Sequence, residues 1–282
     1  EAGAKMAKEF PGVSGVILVD DGEFVYHKDG TNGYRYHFAG LVLKEEMKAW
    51  AQVSVGFTEG RSRARILFGR AVAPDGTATA LTDDMIKVSS PSEEMVFFNP
   101  TWKTLSGIVP GVEVGSVVEY SYEYEYYNPE DPRLFSPGFA FQSTEPVVLS
   151  RVKVTVPKDI PLEYMTRNFP DPKWSEPMVE KSADTKNLTW QLENVAPLTP
   201  EPMMPPDSDL VPRMEASIFK DFDEVFALLR ELQEARLRLT PEIQAKVDEV
   251  TAGTATVDEK IAKIYYWVQD NTRYISIKGS LG

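Results

Sequence analysis

Cysteine is absent from the 282 residues, and histidine occurs only twice, at His27 and His37. The first absence excludes disulfide frameworks, thiolate metal sites and a cysteine nucleophile within this sequence. The second leaves little material for a His-rich metal site or a Ser-His-Asp triad. Basic residues are also scarce: 30 Lys+Arg stand against 43 Asp+Glu, a formal net charge of −13. Phosphate backbones call for the opposite sign, so nucleic acid is not an expected partner. Long apolar runs are missing as well. None approaches the roughly 18 residues that span a bilayer, so no transmembrane segment is expected, and none reads as a signal peptide.

What remains is the composition of a globular protein, 42% apolar and 11% aromatic. At roughly 150 residues per domain the length fits one large or two ordinary domains. A chain of this size buries roughly three quarters of its unfolded surface, so it needs neither disulfide nor metal to hold a core.

Most of the chain reads as β-structure. Residues 15–20 (GVILVD) form a short apolar run that meets Asp21-Gly22, a tight-turn dipeptide. Residues 23–28 follow and end at Asp29-Gly30, another such dipeptide. Longer strands are expected at 34–44 and 50–57, and 65–72 pairs with 77–81 across Pro74-Asp75-Gly76. The clearest strand is 117–127 (VVEYSYEYEYY). Tyr120, Tyr122, Tyr124 and Tyr126 fall on one face, and Glu119, Ser121, Glu123 and Glu125 on the other. The same period-two pattern recurs in 146–156, and 187–195 is the last strand expected. Many short strands joined by polar turns argue for an antiparallel β-sandwich.

At 196–212 six prolines crowd one stretch, from Pro197 to Pro212. Each lacks a donor and fixes φ, so the stretch reads as an extended connector, and Met203 and Met204 suggest that part of it lies along an apolar surface. Beyond it the period becomes helical. Asp221 can cap a helix whose apolar stripe is Phe222, Val225, Phe226, Leu229 and Leu232. Thr240-Pro241 opens a second helix, and Thr256 with Glu259 forms a capping box for a third that carries Ile261, Ile264, Tyr265 and Val268. Residues 273–277 read as the start of a strand. Acidity belongs to the β part: residues 1–212 hold 20 Lys+Arg and 31 Asp+Glu, against 10 and 12 in 213–282.

Several residue sets invite a chemical reading. His27 and His37 lie on adjacent expected strands and, with a carboxylate, can bind zinc; two strand residues bonded to their neighbours is the plainer reading. The acidic pairs Asp20-Asp21, Asp83-Asp84 and Glu93-Glu94 lack calcium-loop spacing and read as solvated turn residues. The tyrosine ladder can stack on sugars, yet tyrosine is also a favoured strand residue that packs its body into a core. Arg61, Arg63, Arg65 and Arg70 form a basic cluster without a Gly-rich loop, which fits cross-strand ion pairs better than a phosphate site. Asn187-Leu188-Thr189 matches the glycosylation triplet, and Trp267 with Tyr274 can line a groove or simply pack. None of these sets makes a catalytic constellation. No catalytic, cofactor-binding or metal-binding residue is therefore assigned, and no cofactor is expected.

A family pattern does emerge from longer motifs. Residues 71–81 (AVAPDGTATAL), 108–124 (IVPGVEVGSVVEYSYEY) and 141–157 (FQSTEPVVLSRVKVTVP) resemble an uncharacterised bacterial family of β-rich domains. Members of that family precede transglutaminase-like, papain-like cysteine domains. Residues 217–225 (SIFKDFDEV) and 257–277 look like the opening helices of such a domain. The resemblance implies a catalytic Cys in a later Gly-Asp-Cys element, with His and Asp beyond it, none of which these residues include. The expected organisation is thus a β-sandwich with its connector at 1–212 and the first helices of a truncated transglutaminase-like domain at 213–282. The parent would be a cysteine-dependent acyl transferase or peptidase of the bacterial periplasm or cell envelope. This chain, inactive alone, would position the catalytic domain or a polypeptide substrate. The alternative is a carbohydrate- or protein-binding module without enzymatic activity.

Overall fold

The computed structural model describes residues 1–91 and 99–273. The chain divides into a β unit that ends at Lys220 and a helical unit that begins at Asp221. The division falls after Lys220 rather than at Pro212 because Arg213–Ser217 form a strand of the β unit.

Eight strands build the main sheet of the β unit. In spatial order they are β12 (Met178–Lys181), β13 (Thr185–Val195), β10 (Val147–Pro157), β1 (Gly15–Tyr26), β2 (Asn32–Val42), β8 (Val117–Tyr126), β4 (Ser62–Val72) and β5 (Ala78–Ala80). Neighbours run antiparallel except β1 and β10, which run parallel, so the sheet is mixed. Two three-stranded sheets accompany it. One joins β3 (Gln52–Thr58), β7 (Trp102–Ile108) and β6 (Lys87–Ser89); the other joins β11 (Glu163–Arg167), β14 (Arg213–Ser217) and β9 (Gly138–Ala140). The mainly β character expected from the period-two runs is what the chain adopts. A short helix, α1 (Ala2–Glu9), precedes β1 and buries Met6.

Directly paired residues share a face, so the register sorts the main sheet. Trp190, Val152, Gly22, Tyr36, Tyr122 and Ile66 form one row across six strands. This face is apolar and aromatic, and both small sheets pack on it. One core joins Val152, Val154 and Trp190 to Phe139, Phe141, Met214 and Ala216. A second joins Val118 and Ala71 to Val53 and Val109. The opposite face carries the charges. Arg65, Glu123, Arg35, Glu23 and Lys153 make a row of alternating sign across five strands.

Two local expectations need correction. Asp21-Gly22 is no turn: β1 runs through it from Gly15 to Tyr26, and the chain reverses at Asp29-Gly30. There Gly30 takes φ +86°, and the Asp29 carboxylate accepts from the Thr31 amide at 3.0 Å. The proline-rich stretch contains one helical turn, α2 (Asp207–Leu210), and of its two methionines Met203 is fully exposed while Met204 is half-buried.

The helical unit comprises α3 (Phe222–Arg236), α4 (Pro241–Val250) and α5 (Val257–Asn271). The three N-caps fall where the sequence places them: Asp221 accepts from Glu224 N at 3.1 Å, Thr240 from Ile243 N at 3.3 Å and Thr256 from Glu259 N at 3.2 Å. Their apolar stripes remain largely uncovered, with Phe222 77% and Ile261 60% exposed. Residues 274–277 of the strand expected at 273–277, Tyr274 among them, and the Glu93-Glu94 pair lie outside the described residues.

Candidate functional site

The charged face resolves most of the sequence candidates. Arg63 pairs with Glu125 at 2.7 Å, Arg70 with Glu119 at 2.6 Å, and Arg65 with Glu123, whose other oxygen lies 3.4 Å from Arg35. Three of the four clustered arginines thus make the cross-strand pairs expected of them. They share a face only because β4 bulges between Ile66 and Phe68. Strict alternation would set Arg70 opposite to Arg65, and the extra residue restores it. Hydrogen bonds from Arg65 hold the Glu123 carboxyl below its ordinary range. For Glu119, burial pushes upward, and hydrogen bonds from His37 and Arg70 outweigh it.

The two histidines do not meet. His37 stands opposite Asp21 in mid-strand and lies 2.9 Å from Glu119 Oε1, while His27 lies beyond the end of β1. At ~3.3 Å per residue the two are roughly 20 Å apart, which removes the zinc reading. Asp83 and Asp84 sit in an exposed 3-10 turn. Among the described residues no cluster of three His, Asp or Glu is arranged to hold a metal ion. Trp267 borders a depression between α4 and α5 formed by Ile243, Val247, Val250, Ile264 and Val268.

Sequence reasoning missed the residue that stands out chemically. Asp20, read as half of a solvated turn pair, belongs to the apolar face. The cause is a bulge in β1: the register shifts between Ile17 and Val19, so Val19 opposes Ala39 and Asp20 opposes Phe38. Ile17 packs in the apolar layer with Phe38 and Val147. Strict alternation would send Asp20, three residues on, to the opposite face, and the extra residue brings it back. A bulge leaves no clear signature in a run such as GVILVD, which is why the residue escaped notice.

Asp20 is half-buried where the two cores adjoin, beside Tyr36 and Tyr120, which pack between them. Tyr36 donates its hydroxyl to Oδ1 at 2.7 Å, and Ser150, wholly buried on β10, donates to Oδ2 at 2.8 Å. Tyr36 belongs to a connected array of rings. Tyr36 stacks with Tyr34 at 6.1 Å and lies 5.4 Å from Tyr122 and 6.5 Å from Tyr120, while Tyr120 stacks on Phe38 at 5.0 Å. All four tyrosines are half-buried. Burial raises the Asp20 carboxyl, an effect that the hydroxyls of Tyr36 and Ser150 oppose and the charge of Asp21 reinforces. Tyr34, Tyr36, Tyr120 and Tyr122 are themselves pushed above the ordinary phenol range, chiefly by burial, so they stay neutral donors. The tyrosine ladder therefore faces the layered side of the sheet, the side that also carries Asp20.

The fold is that of a layered, mainly β domain followed by amphipathic helices, with 39% strand and 24% helix among the described residues. Residues 28–199 match the DUF3857 family, described as a domain of unknown function with a solved structure, and the chain belongs to that family. The fold is similar to a crystal structure of a candidate protease from Parabacteroides distasonis, with a TM-score of 0.75 at 17% identity. That likeness covers 92% of this chain and 50% of the other, so the chain spans half the length of its structural relative. An M1 zinc metallopeptidase from Deinococcus radiodurans aligns over 72% of this chain and 42% of its own at 8% identity, with a TM-score of 0.37, too low to bear on the architecture. No curated protein matches the chain in sequence. No helix among the described residues is long and apolar enough to cross a membrane.

Proposed function

We propose that the chain is the non-catalytic β-rich part, with the opening helices, of a longer transglutaminase-like protein. In this reading the β unit positions the catalytic domain or a polypeptide substrate, and the parent is a cysteine-dependent acyl transferase or peptidase of the bacterial envelope. The observation that carries the reading is the helical unit. Its helices have complete N-caps, yet Phe222, Phe226, Ile261 and Tyr265 stand exposed along their stripes. Amphipathic helices gain most of their stability from packing that face, so these helices read as pieces of a larger core. The likeness to half of a candidate protease supports the same view.

The test is to read the codons that follow Gly282 in the gene and to express the extended protein. The expected result is a Gly-Asp-Cys element whose Cys→Ala variant loses amide hydrolysis or acyl transfer, together with an inactive chain 1–282. A stop codon, or amide hydrolysis by the purified chain alone, overturns the proposal. An open carbohydrate platform is the less favoured reading, because Tyr120 and Tyr122 of the ladder pack against the second core.

A further inference from the structure

Strand β13 outruns the strand beside it. Its pairing with β12 sets Met178 opposite Thr189 and stops there. Two residues further the register would set Glu176 opposite Gln191, but Pro177 intervenes and lacks the N–H that a ladder needs. The chain before β12 is held aside: Ser175 O accepts from the Trp190 indole at 3.1 Å, and Glu176 Oε2 from the Tyr164 hydroxyl at 2.6 Å. Which way Gln191 faces follows from the hairpin that joins β12 to β13. There the Ser182 amide donates to the Thr185 carbonyl at 2.9 Å, while the Asp184 carbonyl, on the other side, accepts from the Lys158 amide at 3.0 Å. Main-chain groups alternate sides along a strand, and the pairing of β13 with β10 runs unbroken from Thr185 to Leu192. Thr185, Asn187, Thr189 and Gln191 therefore turn their N–H and C=O toward the β12 side, and at Gln191 no strand stands there. Among the described residues no main-chain hydrogen bond from outside the strands reaches Gln191.

We propose that this open end of β13 binds an extended polypeptide segment as an added strand, a segment whose apolar residues are flanked by lysine or arginine. The space for it is present: a depression of about 370 Å³ lies along the edge, bordered by Trp174, Met178, Gln191, Leu192 and Glu193. Three features set the chemistry of the occupant. An N–H and a C=O left open on a strand edge are a template for another main chain. The walls are apolar, since Trp174 is 43% and Met178 60% exposed, and an apolar side chain of the added strand would cover them. Charge decides between partners. Lys173 is matched by Asp171 at 3.0 Å, whereas Glu176 and Glu193 are bonded to the neutral groups of Tyr164 and Gln191, so the rim is acidic on balance. A second copy of this chain, with a net charge of −13, would meet like charge there, and a basic segment meets the opposite sign. The inference needs the β unit alone and stands or falls apart from the transglutaminase-like reading.

The test is an NMR titration of the full chain with the peptide acetyl-Lys-Val-Leu-Val-Lys-amide, following the Gln191 amide and the Trp174 indole. Two analogues serve as controls: one methylated on its central amide nitrogens, which cannot donate to a ladder, and one with glutamate in place of both lysines. The expected result is a saturable shift of both signals with the lysine peptide and about tenfold weaker binding by each analogue. Trp174→Ala, which removes an exposed wall and leaves the cores intact, should weaken the lysine peptide about fivefold. The proposal is overturned if the lysine peptide moves neither signal, or if either analogue binds as tightly. It is also overturned if the Gln191 amide shifts with protein concentration in the absence of peptide, which puts a second copy on the edge. Should Trp174→Ala fail to fold, the comparison of the three peptides on the unsubstituted chain still decides.

Discussion

Replacing Asp20 separates its hydrogen-bonding role from its charge. Asp20→Ala removes both acceptor oxygens and leaves the Tyr36 and Ser150 hydroxyls without their partner. An unsatisfied buried hydroxyl costs about 1–3 kcal/mol, so with two of them the variant should lose about 2–6 kcal/mol. Asp20→Asn keeps an oxygen for Tyr36 and offers an amide donor that Ser150 Oγ can accept. At neutral pH it should lie within about 1 kcal/mol of the parent. The two variants then differ in how they respond to pH. The folded state raises the Asp20 carboxyl above its unfolded value of about 3.9, so the native state holds this proton more tightly. The stabilisation is fully present below the unfolded value and is lost as pH rises through the folded one. The asparagine variant has no such proton. The difference in unfolding free energy, parent minus D20N, should therefore fall as pH rises from about 4 to neutrality. Urea unfolding followed by circular dichroism at several pH values measures it. Taking the difference removes the opposite slope from Glu119, Glu123 and Asp131, whose carboxyls the fold lowers. A flat difference, or one that grows with pH, refutes the argument; so does an alanine variant as stable as the asparagine variant.

Other expectations follow from packing and from the charged face. Trp190 is 1% exposed in the first core, and Trp190→Ala should cost about 3–5 kcal/mol in the same urea assay. A Cβ at Gly22 would come within 2.9 Å of Phe139 Cε2 and 3.0 Å of the Tyr34 ring, so Gly22→Ala should cost about 1–3 kcal/mol through overpacking. Glu123→Gln breaks the link between Arg65 and Arg35 and should cost about 1 kcal/mol at low salt, less at high salt, when melts are compared across NaCl concentrations. Because the fold lowers the Glu123 carboxyl, its contribution is present above the unfolded value and vanishes as pH falls through the folded one.

How much of this could be read beforehand depended on whether a local rule acted without interference. Tyrosine alternates with glutamate or serine from Glu119 to Tyr126, and β8 lies at the interior of the sheet with its two faces sorted accordingly. The helix caps at Asp221, Thr240 and Thr256 are short-range devices and stand where the residues place them. By contrast β9, β11 and β12 are strands of three to five residues, too short to show a period, and they exist because a neighbouring strand supplies their ladder. The Asp21-Gly22 dipeptide has the composition of a turn, yet β2 and β10 hold it extended from both sides. Tertiary pairing overrode turn chemistry there.

The same override produces the candidate site. Period-two reading assumes that the phase set at the start of a strand persists to its end, and β1 and β4 each break that assumption once. In β4 the shift gathers Arg63, Arg65 and Arg70 on one face, where each finds a glutamate on β8. In β1 it does the reverse, turning one acid of a consecutive pair into the aromatic layer while Asp21 stays outside with Arg151. A bulge at one strand thus supplies a matched ion-pair face, and a bulge at the other supplies an acid without a cation. The residues that a phase shift re-aims are those whose surroundings contradict their chemistry, and among the described residues of the main sheet Asp20 shows that contradiction most clearly.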